Sequence, residues 1–259
     1  MKLWTLLENT SCRSDVTCEH GLSLYIETGE HRILFDMGQS AAFAANAHTL
    51  GIDLAQVDIA ILSHGHYDHG GGLMTFMNLN NHAPIYMSCH AFGEHYHGTD
   101  RYIGLAPEIR GSDRIRMVGE HLSLDDQLEL FSCNEKDPIT AVKAYGLTIR
   151  QCDTFVPDSF LHEQYLLIHE GTRSILISGC SHKGILNVVD WFHPDVLVGG
   201  FHFKDISDPA ILRDAAQTLL KYSTEYFTGH CTGEIQYTVL KEVMGDRLHA
   251  LSTGKFIEL

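Results

Sequence analysis

Apolar residues in the first half of the chain form short runs separated by turn residues, a pattern typical of β-strands. The runs KLWTLLEN, LSLYIET, RILFDMG, DIAILS and IYMSC predict strands, and Gly29–Glu30 predicts a hairpin between the second and the third. Residues 40–50 predict a helix that ends at Gly51, the usual stop residue. Residues 91–116 have no clear period, so we expect an inserted loop region or lid there.

The second half of the chain follows a similar plan. Strands are predicted at LTIRQCDTF, EQYLLIHEG, RSILISGC, DVLVGGFH, EYFTGHC and HALSTGKFIEL, and helices at GILNVVDWF, PAILRDAAQTLLKY and EIQYTVLKEVMG. Asp208 and Pro209 are a typical N-cap and first helical residue for the second of these helices. The repeated order of strands, helix and strand predicts two similar α/β halves with face-to-face sheets and outer helices. Because no linker-like segment separates the halves, we expect one domain over residues 1–259.

Composition narrows the function classes. The chain is 44% hydrophobic and 20% charged, which is enough apolar sequence to bury a core. Its formal net charge of −15 argues against a dedicated DNA- or RNA-binding protein. A small phosphorylated substrate is still compatible, because it needs only a local positive site.

Targeting signals and cysteines indicate the compartment that we expect. The N-terminal apolar run is too short for a signal peptide, and no later run reaches membrane length, so we expect a soluble, cytoplasmic protein. The seven cysteines are odd in number and irregularly spaced, which favours reduced thiols over a disulfide framework. The sequence leaves the oligomeric state open.

The stretch SHGHYDHGGGL, directly after the DIAILS run, concentrates metal-type ligands. Neutral imidazole and carboxylate are ligands that zinc, iron and manganese accept. Residues two apart at a strand end point the same way, so His64 and His66 can bind one ion. Asp68 and His69 follow at the turn and can face a second ion. Gly70–Gly72 then remove side chains where the backbone bends.

The motif HGHYDH fits the HxHxDH pattern of the metallo-β-lactamase superfamily, which this chain resembles over nearly its whole length. The elements LFDMG, LISGCSH and TGHC flank the motif in the order expected for that family. The resemblance implies an αββα four-layer sandwich. More narrowly, GCSHKGILN, GGFH and GHCTG resemble the subgroup that includes dihydropterin-6-methyl aminobenzene ribosyl phosphate synthase-like proteins.

The resemblance also implies a ligand set for one or two divalent ions, with zinc expected and iron, manganese or nickel compatible. Carried over residue by residue, the first ion would be bound by His64, His66 and His182, and the second by Asp68, His69 and His230. Asp36 of LFDMG would orient a ligand histidine. His162 ranks below His182 as a ligand, and His90 is expected in a loop.

The chain departs from the family pattern where many relatives carry a bridging Gly-Asp. Here Gly179 precedes Cys180, which is either a thiolate ligand or a small buried residue, and we favour the second interpretation. Without a bridging carboxylate, the choice between one metal ion and two stays open. Cys231 is expected to be a packing residue. His202 is either a buried histidine with a backbone partner or a substrate-facing acid or extra ligand.

Metal-assisted hydrolysis of an ester, phosphoester or amide is the leading function. Asp68 would be catalytic by holding the activated water, and His202 is a second catalytic candidate. Four arginines could bind the phosphate of a small molecule, although for any single one of them we favour a solvated face that pairs with the abundant acidic residues: Arg101, Arg110, Arg114 and Arg116. The alternatives are group transfer on a pterin diphosphate, which the subgroup resemblance implies, and a non-catalytic metal- or iron-binding sensor.

Overall fold

The computed structural model describes residues 1–259. It contains 18 β-strands: β1 (Lys2–Leu7), β2 (Ser23–Glu27), β3 (Arg32–Phe35), β4 (Ile59–Ile61), β5 (Ile85–Ser88), β6 (His95–His97), β7 (Arg101–Tyr102), β8 (Ile115–Val118), β9 (His121–Ser123), β10 (Leu128–Phe131), β11 (Leu147–Gln151), β12 (Thr154–Pro157), β13 (Tyr165–Glu170), β14 (Arg173–Ile177), β15 (Val196–Val198), β16 (Glu225–Thr228), β17 (Leu248–Ala250) and β18 (Phe256–Glu258). The α-helices are α1 (Ala42–Thr49), α2 (Tyr67–Gly70), α3 (Leu73–Leu79), α4 (Ile185–Phe192), α5 (Pro209–Leu219) and α6 (Glu234–Met244). None of these helices is long and apolar enough to cross a membrane.

The chain forms two compact units, each assembled from separate stretches of sequence. Unit 1 comprises Met1–Gly119, Gly146–Gln164 and Ser252–Leu259, and unit 2 comprises Glu120–Tyr145 and Tyr165–Leu251. Each unit has its own seven-stranded sheet and its own cluster of buried apolar side chains.

Unit 1 is built on a sheet of order β18-β1-β2-β3-β4-β5-β8. The β2–β3 pair is antiparallel, as the hairpin prediction requires, whereas β3, β4, β5 and β8 are parallel neighbours. A smaller sheet of order β12-β11-β6-β7 belongs to the same unit. Because parallel strands end at a common sheet edge, the residues that follow β3 and β4 lie side by side there.

Unit 2 is built on a sheet of order β17-β16-β15-β14-β13-β10-β9. Its strands β14 to β17 are parallel, and β15 is buried at every position, as is typical of a parallel strand covered on both faces. Helix α5 buries Leu212, Ala215, Ala216 and Leu219, which recur at the spacing of one helix face. The ends of β14, β15 and β16 therefore meet at one edge of this sheet.

Three stretches differ in detail from the sequence prediction. LTIRQCDTF is a hairpin of β11 and β12 and not one strand, because Cys152 takes a left-handed conformation (φ 55°) in the turn. The C-terminal stretch forms β17 and β18, which belong to different sheets. Residues 91–116 contain β6, β7 and a short 3-10 helix, Pro107–Gly111.

The N-cap prediction at α5 is confirmed, and it supplies a stability test. The Asp208 side chain accepts a hydrogen bond from the Ala210 N–H, and Pro209 occupies the first turn. We expect Asp208→Ala to lower the free energy of unfolding by about 1 kcal/mol, measured by urea denaturation. Asp208→Asn keeps an acceptor oxygen and is the control. An equal loss in both variants would contradict the cap as the source of the effect.

Candidate metal centre

The HGHYDH motif lies at the carboxyl end of β4, where the chain turns into α2. The ring centroid of His64 lies 4.6 Å from that of His66 and 4.2 Å from that of His69. All three imidazoles are buried, whereas Asp68 keeps 13% of its side chain exposed. A Cβ on Gly72 would lie 2.2 Å from the Met37 carbonyl oxygen, so the glycine run permits the close approach of two backbone segments.

Asp36, directly after β3, organises two of these imidazoles. Its carboxylate accepts hydrogen bonds from His69 Nδ1 (2.6 Å), from the Ser63 N–H (2.7 Å) and from the Ser63 hydroxyl (2.7 Å). Ser63 Oγ also lies 2.8 Å from His64 Nδ1. Since the hydroxyl proton is given to the carboxylate, the Nδ1 of His64 must be the donor in that contact. Asp36 therefore contacts His69, one of the histidines that the sequence analysis assigned to a metal ion.

These hydrogen bonds fix where each ring carries its proton. Both His64 and His69 have their proton on Nδ1, so each Nε2 keeps a lone pair for a metal ion. A hydrogen-bonded partner on the far side of a ligand histidine is a general feature of metal sites.

A buried group of four residues with metal-type ligand atoms, one of them His66 of the motif, lies within unit 1. One ligand atom from each of His66, His95, Asp158 and His162 lies within 4.8 Å of the others. His95 comes from β6, and Asp158 follows β12, two strands that flank β11 in the small sheet. The His95 and His162 rings are 3.8 Å apart between centroids, and His66 lies 5.0 Å from His162. We call these four residues the unit 1 cluster.

Hydrogen bonds inside the unit 1 cluster define its protonation. Asp158 Oδ2 accepts a hydrogen bond from His95 Nδ1 at 2.8 Å and lies 3.3 Å from His162 Nε2. The Gly65 N–H donates to His162 Nδ1, so the proton of this ring is on Nε2. His95 Nε2 is buried without a hydrogen-bond partner. This lone pair is available to a cation.

Burial and neighbouring charges shift the pKa values of two residues in the unit 1 cluster. Burial, together with the neighbouring His162 and His95, holds the pKa of His66 well below its usual value, so His66 stays neutral as a ligand must. Burial raises the pKa of Asp158, but its contacts with His162 and His95 outweigh this effect, and the pKa lies well below its usual value. Because His162 carries its proton on Nε2, the groups of this cluster that fit a divalent ion such as zinc are the ring nitrogens of His66 and His95 and the Asp158 carboxylate.

Two members of the unit 1 cluster and one neighbour of Asp68 were missed by the sequence analysis. His95 and Asp158 belong to no motif, and only the i, i+4 spacing of Asp158 and His162 could have linked that pair. His20 Nε2 lies 3.1 Å from Asp68 Oδ2, although His20 is distant from the motif in sequence. These contacts depend on the fold, and no local pattern encodes them.

The four arginines expected to bind phosphate have different surroundings. Arg110 lines a cavity of about 230 Å³ that also contacts His95, Asp158 and His162. Arg101 donates to the Tyr67 hydroxyl at 2.9 Å. Arg116 is exposed and bonds to backbone carbonyls of its own strand and the preceding turn. Arg110 is therefore the arginine best placed to meet a ligand beside the unit 1 cluster.

Arg114 has a structural environment, which favours a packing role over the predicted contact with substrate. Its guanidinium donates to the carbonyl oxygens of Ala83, Met77 and Asn80 and stacks over Phe76. We expect Arg114→Met to lower the free energy of unfolding by about 1–3 kcal/mol, because those carbonyls lose their donor, and to leave zinc affinity unchanged. Urea denaturation and zinc titration measure the two effects. Arg116→Met is the matched control, and a weaker zinc affinity in Arg114→Met alone would restore a role at the site.

The remaining predicted residues lie in unit 2, just after the ends of its parallel strands. His182 follows β14, His202 follows β15 and His230 follows β16. The rings of His182 and His202 are 4.3 Å apart. Both line a cavity of about 330 Å³ whose walls include Lys143, Tyr145, Phe203 and Ile206. His202 Nδ1 is buried with no hydrogen-bond partner, so this nitrogen lacks the backbone contact that a packing histidine would make.

Comparisons with known proteins agree with the motif. Residues 16–142 match the model of the metallo-β-lactamase superfamily. An uncharacterized protein of Methanocaldococcus jannaschii is 30% identical over 258 residues, covering 92% of this chain and 93% of that protein. From the same organism, 7,8-dihydropterin-6-methyl-4-(β-D-ribofuranosyl)-aminobenzene-5′-phosphate synthase is 28% identical over 284 residues, covering 100% and 96%.

A solved structure extends the agreement to the fold. Tm1679, described as a metal-dependent hydrolase of the β-lactamase superfamily, superposes with a TM-score of 0.85 at 25% identity, covering 100% of this chain and 99% of that one. The motif, the sequence relative and the superposition lead to the same assignment. The chain belongs to the metallo-β-lactamase superfamily and has its mixed α/β fold.

Proposed function

We propose that the protein is a metal-dependent hydrolase of a small ester, phosphoester or related substrate. The observation that carries the proposal is the buried unit 1 cluster, in which one ligand-type atom of each of four side chains lies within 4.8 Å of the others, and which includes the second histidine of HGHYDH. The similarity to a metal-dependent hydrolase over the full length of both chains supports the same reaction class.

The chemistry that a divalent ion would supply at such a site is Lewis acidity toward water and the substrate oxygen. The protein's own groups supply the rest. His66 and His95 present neutral ring nitrogens, while Asp158 provides the negative charge that offsets a buried cation. His64, Asp68 and His69 are proposed as further ligands, together with His182 and His230 of unit 2.

Asp68 is the proposed proton acceptor. Its carboxylate is partly exposed and lies 3.1 Å from His20 Nε2 and 4.0 Å from His69 Nε2. The Asp68 carboxylate can therefore hold the attacking water by a hydrogen bond. His20 would fix the orientation of that carboxylate. Arg110, in the cavity beside the cluster, is proposed to bind an anionic substrate group.

Metal reconstitution tests this function. The protein is stripped with a chelator, titrated with zinc, manganese, nickel or ferrous iron, and assayed on phosphodiesters, lactones and thioesters. We expect turnover of at least one class that requires metal. Absence of metal-dependent hydrolysis with every ion, in protein that binds the ion, would overturn the proposal.

A transferase is the second candidate, favoured by the full-length similarity to the named synthase. In that reaction the nucleophile would be an amine or an aryl carbon, and pyrophosphate would leave a pterin diphosphate. Incubating metal-loaded protein with such a diphosphate separates the two candidates. Pyrophosphate release that needs an added aryl acceptor supports the transferase, and release to water alone supports the hydrolase.

A further inference from the structure

Two cysteines and one histidine, residue types that bind zinc, lie close together at one edge of the unit 2 sheet. Strands β14, β15 and β16 are parallel neighbours, and the loops that follow them carry Cys180, His202 and Cys231. Each residue lies three or four positions beyond the last residue of its strand. The carboxyl ends of adjacent parallel strands are brought together by the sheet itself, so the three side chains converge although they are far apart in sequence.

The convergence is close and buried. One ring nitrogen of His202 and the two Sγ atoms of Cys180 and Cys231 all lie within 4.8 Å of one another. Cys180 is 2% exposed, Cys231 1% and His202 8%. The second observation is His202 Nδ1, a buried ring nitrogen with no hydrogen-bond partner. A polar atom left in this state costs free energy unless something binds it.

The surrounding backbone holds the three loops in register. Gly200 N–H donates to the Gly179 carbonyl at 2.8 Å, and Lys204 N–H donates to the Cys231 carbonyl at 3.1 Å. A Cβ on Gly200 would lie 2.3 Å from Cys231 Sγ, so glycine is needed there to make room for the sulfur. His202 itself has a positive φ of 52°, a conformation that non-glycine residues adopt at a cost.

We propose that Cys180, His202 and Cys231 form a sulfur-rich zinc site in unit 2. Zinc accepts two thiolates and one imidazole, with a fourth position left for an exogenous ligand. Two thiolates carry the negative charge that a buried dication needs, and the neutral imidazole adds none. His202 also lines the cavity of about 330 Å³, from which the exogenous ligand would reach the ion.

X-ray absorption at the zinc edge of the zinc-loaded wild-type protein tests the site without any substitution. We expect a sulfur shell at about 2.3 Å beside the nitrogen and oxygen scatterers. The His66→Ala variant should keep that shell, because His66 belongs to the unit 1 cluster. A spectrum with nitrogen and oxygen scatterers only, at full zinc load, would overturn the proposal whether or not the protein is a hydrolase.

Counting bound zinc by elemental analysis gives the second measurement. We expect Cys231→Ser to lose one zinc equivalent per chain and the sulfur shell together. Cys133→Ser is the matched control, since Cys133 is also a buried cysteine of unit 2 but lies outside the three-residue site. Unchanged zinc content in Cys231→Ser, or an equal loss in Cys133→Ser, counts against the site. If Cys231→Ser does not fold, the wild-type spectrum decides.

Discussion

His66→Ala is expected to weaken zinc binding at the unit 1 cluster by more than 100-fold and to remove metal-dependent turnover. His66 belongs both to the HGHYDH motif and to the cluster, and its pKa is held well below its usual value by burial and by two neighbouring histidines. Loss of hydrogen-bonding partners around a ligand already costs about 10–100-fold in metal affinity, so loss of a ligand should cost more. Competition with a chromophoric chelator measures the affinity.

His97→Ala is the control for this experiment. His97 is an exposed histidine on β6, two residues from His95, and so it tests whether removal of any nearby imidazole has the same effect. We expect its zinc affinity to equal that of the wild type. An unchanged affinity in His66→Ala would mean that the unit 1 cluster does not bind the ion. The proposed function would then lose the observation on which it rests.

The sequence predicted most of the secondary structure and the HGHYDH motif, because both depend on residues that are close together in the chain. Most strand runs and the Asp208 cap depend on residues within a few positions, and the structure contains them, although LTIRQCDTF and the C-terminal run each divide into two strands. The fold class followed from the motif and its flanking elements, and the comparisons confirm it.

The donors that surround the motif depend on strand order instead. His95 and Asp158 are 63 residues apart and meet because β6 and β12 flank β11. Cys180, His202 and Cys231 meet because β14, β15 and β16 are adjacent. Strand order within a sheet is a tertiary property, and a sequence pattern with a short period does not contain it. Arg114 illustrates the same limit, since its carbonyl partners around Asn80 are more than 30 residues away.

Asp36→Asn is expected to weaken zinc affinity by about 10–100-fold, because it would move the ring protons of His64 and His69 from Nδ1 to Nε2. The carboxylate now accepts three hydrogen bonds, from the Ser63 N–H, the Ser63 hydroxyl and His69 Nδ1. An amide supplies one acceptor oxygen and one NH₂ group. If the NH₂ faced the Ser63 backbone N–H, a buried donor would be left unsatisfied at a cost of about 1–3 kcal/mol. The amide oxygen therefore takes that position.

The NH₂ group then faces the Ser63 hydroxyl and His69. Ser63 accepts from it and turns its own proton toward His64 Nδ1, and His69 Nδ1 becomes an acceptor as well. Both rings move their protons from Nδ1 to Nε2, the atom that carries the ring's lone pair in the wild type. Nitrogen-15 NMR of the imidazoles measures this change of tautomer, and chelator competition measures the affinity. Asp58→Asn is the control, because Asp58 is 43% exposed and pairs only with surface groups. A weaker affinity with both tautomers unchanged would show that Asp36 acts through charge and not through proton placement.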